Sequence, residues 1–176
     1  MIVRVTAARR VICREEIVLP LSARQAWGQL RDFHRYACHD PFHARIRINS
    51  GVPRVGAELH IDHRYGPFRA RRRGRILRWR EGVGFAFSDL SLANPKRGFP
   101  HILSLTVRDS GSEECRLIIR VGGKWTAPTP RWIARLWLRW VFLVVVQRTR
   151  NDLLRFALSQ RVAGKTKTGR KSEAIF

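Results

Sequence analysis

One long apolar helix stands near the end of this chain, after a run of short segments in which apolar and polar residues alternate. A helix that closes such a run must bury its apolar stripe against the sheet those segments form. The helix is expected over roughly Arg131–Gln160, a stretch of Trp, Arg and aliphatic residues entered through Gly122-Gly123, Pro128 and Pro130. This order of elements points to one antiparallel sheet gripped by one helix, with a cavity between the two layers.

The remaining segments fit that plan. Val11–Leu19 reads as a first strand that Pro20 ends. Ser22 is placed as an N-cap, and Gln25 stands where a capping box needs its return donor. Ala23, Trp27 and Leu30 then share a face, and Asp32–Tyr36 adds a second short turn before Asp40-Pro41 breaks it. Strands follow over Arg45–Asn49, Ala57–Tyr65, Phe68–Arg80, Gly84–Leu92, Pro100–Arg108 and Glu114–Val121, so a seven-stranded antiparallel sheet is expected. One domain covers 1–160; the basic stretch 161–176 is expected to be a disordered tail.

The formal net charge is +22, from Lys+Arg 35 against Asp+Glu 13. Lysines stand at 96, 124, 165, 167 and 171, so 35 − 5 leaves 30 arginines. Such a field attracts phosphates, anionic lipid surfaces or acidic partners. Cys13, Cys38 and Cys115 form no disulfide framework, and the first residues have no apolar leader core. Trp132–Val146, interrupted by Arg135 and Arg139, falls short of the roughly 20 residues that span a bilayer. A cytoplasmic protein is expected, with peripheral contact at a membrane.

Local text adds a family likeness. Leu19-Pro20-Leu21-Ser22-Ala23, Ala26-Trp27, Asp32-Phe33 and Pro41-Phe42 resemble the first helices of the SRPBCC superfamily. Gly56-Ala57-Glu58-Leu59 resembles its entry to the third strand, and Asn151–Leu158 its terminal helix. The resemblance covers about residues 10–160 and implies the helix-grip fold of START lipid-transfer domains and polyketide cyclases. It carries over no catalytic residue, because the superfamily shares none.

Candidate site residues come from the inward strand positions. Ile46, Ile48, Leu59, Ile61, Phe85, Phe87, Leu103, Leu105, Leu117 and Ile119 give an apolar lining, in which His63, Tyr65, Arg72 and His101 are the polar exceptions. An apolar pocket with a few convergent polar groups is the default ligand site. The expected ligand-binding set is His63, Arg72, Phe85, Phe87, His101 and Leu103, with Trp132 and Leu136 from the last helix. Arg72 faces inward without an obvious acidic neighbour, so a ligand anion or a carboxylate is expected to partner it.

His34, Cys38, His39 and His43 match no zinc spacing, and neither a metal nor a cofactor is expected. Asp62 and His63 are adjacent on a strand and point to opposite faces, so they make no acid–base pair. On the last helix Arg131, Arg135 and Arg139 form one stripe, while Arg148, Asn151, Asp152 and Arg155 lie on the other side. Either the helix bends near Gln147 or one arginine set faces the cavity. The outward row Arg69, Arg71, Arg73 and Arg75 reads as a solvated face.

The function expected is binding, with transport as its extension, of a hydrophobic or amphipathic small molecule, lipid or polyketide-like. The alternative is a cyclase or dehydratase-like enzyme with His63 or His101 as acid–base and Arg72 at an oxyanion. A further alternative is a basic protein of anionic membrane or RNA surfaces, nucleic acid being the weaker of the two.

Overall fold

The computed structural model describes the backbone of residues 1–172 and the side chains of residues 1–160. Among these, eight strands form one antiparallel sheet in the order β1-β2-β8-β7-β6-β5-β4-β3. They are β1 (Ile2–Val5), β2 (Arg10–Leu19), β3 (His43–Ile48), β4 (Glu58–Tyr65), β5 (Phe68–Arg80), β6 (Gly84–Ser91), β7 (His101–Gly111) and β8 (Glu114–Lys124). The sheet thus has one strand more than the seven expected. The extra strand, β1, is a four-residue edge strand that pairs Ile2 with Arg14 and Val5 with Val11. Its turn closes on Arg9, at φ 57, whose guanidinium donates to the Ala127 carbonyl. A strand this short has too few residues to show alternation.

Helix α1 (Ala23–Leu30) starts as expected. The Ser22 hydroxyl accepts from the Gln25 N–H, and the Gln25 side chain accepts from the Ser22 N–H. Helix α2 (Phe33–Ala37) is capped by Asp32. Together they bury Trp27, Leu30, Phe33 and Tyr36 on the inner face of the sheet, where Phe33 meets Phe85 and Phe87 edge-on at 5.3 and 5.1 Å.

Helix α3 (Arg131–Ser172) packs on β1 and β2. Ala134, Leu138, Phe142, Val145, Thr149, Leu153 and Ala157 recur every three or four positions as one continuous buried stripe, which Val141 and Val146 widen at its middle. The polar face does not switch at Gln147, and neither arginine set faces the cavity: Arg131, Arg135, Arg139, Arg148 and Arg155 are all exposed. The helix assignment runs past the expected end at Gln160. The expected disordered tail, 161–176, lies outside the residues whose side chains are described.

Two local irregularities position the site. β3 is bulged between His43 and Arg45. Alternation back from the buried Ile48 and Ile46 would turn residue 44 inward; the bulge turns His43 inward instead, opposite His63. At Gly74, β5 passes so close to β6 that a Cβ would lie 1.8 Å from the Ser88 carbonyl oxygen. This approach brings Arg72 alongside Asp89, which pairs with His101 on β7.

Candidate functional site

Five adjacent strands each place one polar side chain in the same inward row: His43 on β3, His63 on β4, Arg72 on β5, Asp89 on β6 and His101 on β7. Asp89 is the centre of the row and is 0% exposed. Its Oδ1 accepts from Arg72 Nε, and Arg72 Nη2 donates to the Asp89 and Phe99 carbonyls at 3.1 and 3.0 Å. Arg72 therefore has an acidic partner inside the protein. Of the two expected partners, a ligand anion or a carboxylate, the structure has the carboxylate, Asp89. β6 reads inward at Phe85 and Phe87, and the next inward position is Asp89, so the partner was legible in the alternation.

The second oxygen, Asp89 Oδ2, lies 3.2 Å from His63 Nε2, 3.5 Å from His43 Nε2 and 3.7 Å from His101 Nε2. His43 Nδ1 is bonded to the Ala37 carbonyl, and His101 Nδ1 to the Phe99 carbonyl at 2.8 Å. A carbonyl only accepts, so both Nδ1 atoms carry the proton and a neutral ring turns its Nε2 lone pair toward Asp89. Asp89 Oδ2, His43 Nε2 and His63 Nδ1 are buried and make no hydrogen bond among the described residues.

Electrostatics follows from this crowding. Burial raises the Asp89 carboxyl, but His43, His63 and His101 outweigh it and hold the group well below the usual carboxylate range. Burial lowers His63 and His101, and the neighbouring Asp89 only partly offsets it. His43 feels the same burial, but Asp89, Asp40 and the Ala37 carbonyl together hold it above its ordinary value. Tyr65, stacked on His63 at 5.7 Å, is pushed up to about 12, chiefly by burial.

Three residues of the row, His63, Arg72 and His101, border a cavity of about 60 Å³ between sheet and α3. His63, Tyr65, Arg72, His101 and Leu103 line the sheet side; Trp137, Leu138, Val141, Phe142 and Val145 line the helix side. Phe42 stacks on Trp137 at 5.4 Å across the two layers. Of the expected ligand residues, His63, Arg72, His101 and Leu103 meet in this wall. Phe85 and Phe87 lie in the solid core beside Phe33 rather than on the wall. Trp132 and Leu136 are 65% and 60% exposed on the outer face of α3, away from the cavity. Trp137 and Leu138 take their place, because the inward stripe runs through Ala134 and Leu138.

The remaining histidines disperse. His34 Nδ1 meets the Ile46 carbonyl at 3.0 Å. His39 lies 2.9 Å from both Thr149 Oγ1 and Asp152 Oδ2, and Arg35 meets the same Asp152 oxygen at 3.3 Å. Only His43 of the 34–43 group reaches the Asp89 row, and it joins residues distant in sequence. Wider depressions lie on the outer surface: a trough of about 550 Å³ is lined by Arg4, Arg14, Arg78, Arg108 and Arg120, and another of about 520 Å³, lined by Arg45, Arg47, Arg69 and Arg71, borders His63 and Arg72. No helix among the described residues is long and apolar enough to cross a membrane.

No protein-family model and no curated protein sequence matches the chain. Solved structures do. A Zhui aromatase/cyclase from Streptomyces sp. R1128 superposes with a TM-score of 0.64 at 16% identity, over 87% of this chain and 96% of that one. The di-domain ARO/CYC StfQ of the steffimycin biosynthetic pathway gives 0.67 at 16% identity, over 88% of this chain and 52% of that one. A START superfamily protein from Mycobacterium smegmatis gives 0.61 at 13% identity, over 83% and 98%. At these identities the likeness is one of fold: with the sheet order and the terminal helix, the chain has the helix-grip fold of these aromatase/cyclase and START structures.

Proposed function

We propose that the protein binds a hydrophobic or amphipathic small molecule in the cavity beneath α3. One observation carries this reading: the wall is divided. Trp137, Leu138, Val141, Phe142 and Val145 face His63, Tyr65, Arg72 and His101. An apolar body rests against the helix while a polar end reaches the histidines. The aromatase/cyclase and START likenesses support a ligand of that general kind. Size narrows it. A volume of about 60 Å³ is room for a few waters at about 10–15 Å³ each, well under the ~300 Å³ of common ligand pockets. A compound the size of a lipid or a fused-ring polyketide therefore enters only if the half-exposed Phe42 and Trp137 swing apart.

The test is titration of the full chain with 1-naphthol and with decanoic acid, followed by tryptophan fluorescence, alongside native mass spectrometry for co-purified ligand. Saturable binding that Val141→Phe abolishes without changing the circular dichroism is expected. Binding unaffected by that filled cavity, or no binding and no co-purified mass, overturns the reading.

A second reading, cyclase- or dehydratase-like catalysis, is favoured by His63. Burial lowers this ring, and its Nδ1 is unpaired on the cavity wall. A neutral imidazole there is a competent base. Arg72, already engaged by Asp89, is the poorer oxyanion partner. Turnover of an aromatic polyketide chain that His63→Gln removes supports it; binding without turnover does not. A third reading, adhesion to anionic bilayers, rests on the exposed Trp132, Leu136 and Trp140 beside Arg131, Arg135 and Arg139. A salt-sensitive shift of tryptophan emission on phosphatidylserine vesicles is its test.

A further inference from the structure

We propose that His43, His63 and Asp89 form a binding site for a divalent transition-metal ion of the zinc class. The proposal goes beyond small-molecule binding and does not depend on it.

The geometry is the first support. The ligand atoms of His43, His63 and Asp89 all lie within 4.8 Å of one another. Around a tetrahedral ion with metal–ligand bonds of about 2.0–2.1 Å, neighbouring ligand atoms stand about 3.3 Å apart. From Asp89 Oδ2 the three imidazole Nε2 atoms lie at 3.2, 3.5 and 3.7 Å. His43, His63 and Asp89 thus offer three ligand atoms to one point, and His101 lies beside that group without joining it.

The unmade bonds are the second support. Asp89 Oδ2 and His43 Nε2 are buried, face each other and make no hydrogen bond. When the His43 ring is neutral with Nδ1 protonated, its Nε2 lone pair faces the Asp89 carboxylate. Two acceptor atoms facing each other in a dry interior repel, and a cation between them reverses the sign of the contact.

The outer contacts are the third. Metal-bound histidines donate their other N–H to a carbonyl or carboxylate, which fixes the tautomer and the ring. His43 does this to the Ala37 carbonyl. Arg72 holds Oδ1 of Asp89 and leaves Oδ2 free, and it ties the same Phe99 carbonyl that orients His101. Imidazole nitrogens with one carboxylate suit zinc, iron, nickel or copper, and exclude the all-oxygen sets of calcium and magnesium.

The experiment uses the full chain, stripped with a chelator, and no organic ligand, so its outcome is independent of small-molecule binding. Zn²⁺ is titrated by calorimetry near neutral pH. One ion per chain with a rise in Tm is expected. His63→Gln and Asp89→Asn should each weaken Zn²⁺ beyond the ~10–100-fold typical of losing an outer contact, while His39→Gln changes it less than about threefold. Should those variants not fold, Co²⁺ added to the unaltered chain decides. Visible bands of a nitrogen–oxygen set support the site. No stoichiometric binding, binding kept by the folded variants, or a thiolate charge-transfer band from Cys13 or Cys38 overturns it.

Discussion

The chain builds two clusters from the same parts, an aspartate with histidine and arginine, and they behave in opposite ways. In the outer one His39 has a partner for each ring nitrogen, Thr149 and Asp152, and Arg35 shares the Asp152 carboxylate at the protein surface. His39 Nε2 meets Asp152 and Nδ1 meets the Thr149 oxygen, whose own hydroxyl proton goes to the Val145 carbonyl. That cluster is a clasp between the segment after α2 and helix α3. In the inner one Asp89 is fully buried, only Oδ1 is satisfied, and three histidines converge on the other oxygen. The lesson is that composition does not separate a clasp from a site. Satisfaction does: a cluster whose every polar atom is paired has finished its work, and one that keeps buried atoms unpaired is built for a further partner.

The comparison breaks first on truncation. Asp89→Ala strands a buried Arg72 and should cost about 3–5 kcal/mol, whereas Asp152→Ala should cost under about 1 kcal/mol. Urea unfolding of both variants measures this; equal losses would erase the distinction. Next in size is the partner cation. Arg72→Leu, which leaves Asp89 buried beside three rings, should lose about 3 kcal/mol, and Arg35→Leu no more than about 0.5 kcal/mol. An Arg72→Leu chain as stable as the parent would show that the histidines alone neutralise Asp89.

Smaller again is the pH response of the outer clasp. Burial holds His39 below its ordinary value, with Asp152 only partly offsetting it. The unfolded ring therefore binds protons more readily, so the contribution of His39 is complete above about pH 6.5 and is lost as pH falls below that. Asp152, which burial alone would raise, is lowered by His39 and Arg35. Its contribution is present above about pH 4 and is lost as the solution becomes more acidic. His39→Gln should flatten the first part of the acid loss and Asp152→Asn the second, read from urea midpoints across a pH series. The smallest effect belongs to the outer face of α3. Trp132→Ser and Trp140→Ser should stay within about 0.5 kcal/mol, because both rings are mostly in solvent. A larger loss in thermal scans would mean that this face is covered in solution.

The alternation of apolar residues and the cap signals of local chemistry determined much of this protein directly. The Ser22–Gln25 capping box, the inward Leu59, Ile61 and His63, the inward Arg72 and the closing helix all follow from periods of two and 3.6 residues, which need no distant partner to be read. Asp89 was readable by the same rule, two residues past Phe87, but a lone acid in an apolar strand says nothing until its neighbours are known. Tertiary structure alone decided the rest. β1 is too short to carry a pattern. The bulge after His43 reverses which side of β3 faces inward, and only pairing with β4 reveals it. The first half of α3 is apolar around most of its circumference, so its sequence could not say whether Trp132 and Leu136 or Ala134 and Leu138 met the sheet. The position of β1 and β2 under the helix chose the latter pair. The convergence of three histidines on one buried Asp89 oxygen likewise depends on strand order and register, because residues 43, 63, 89 and 101 meet only when β3 to β7 lie side by side.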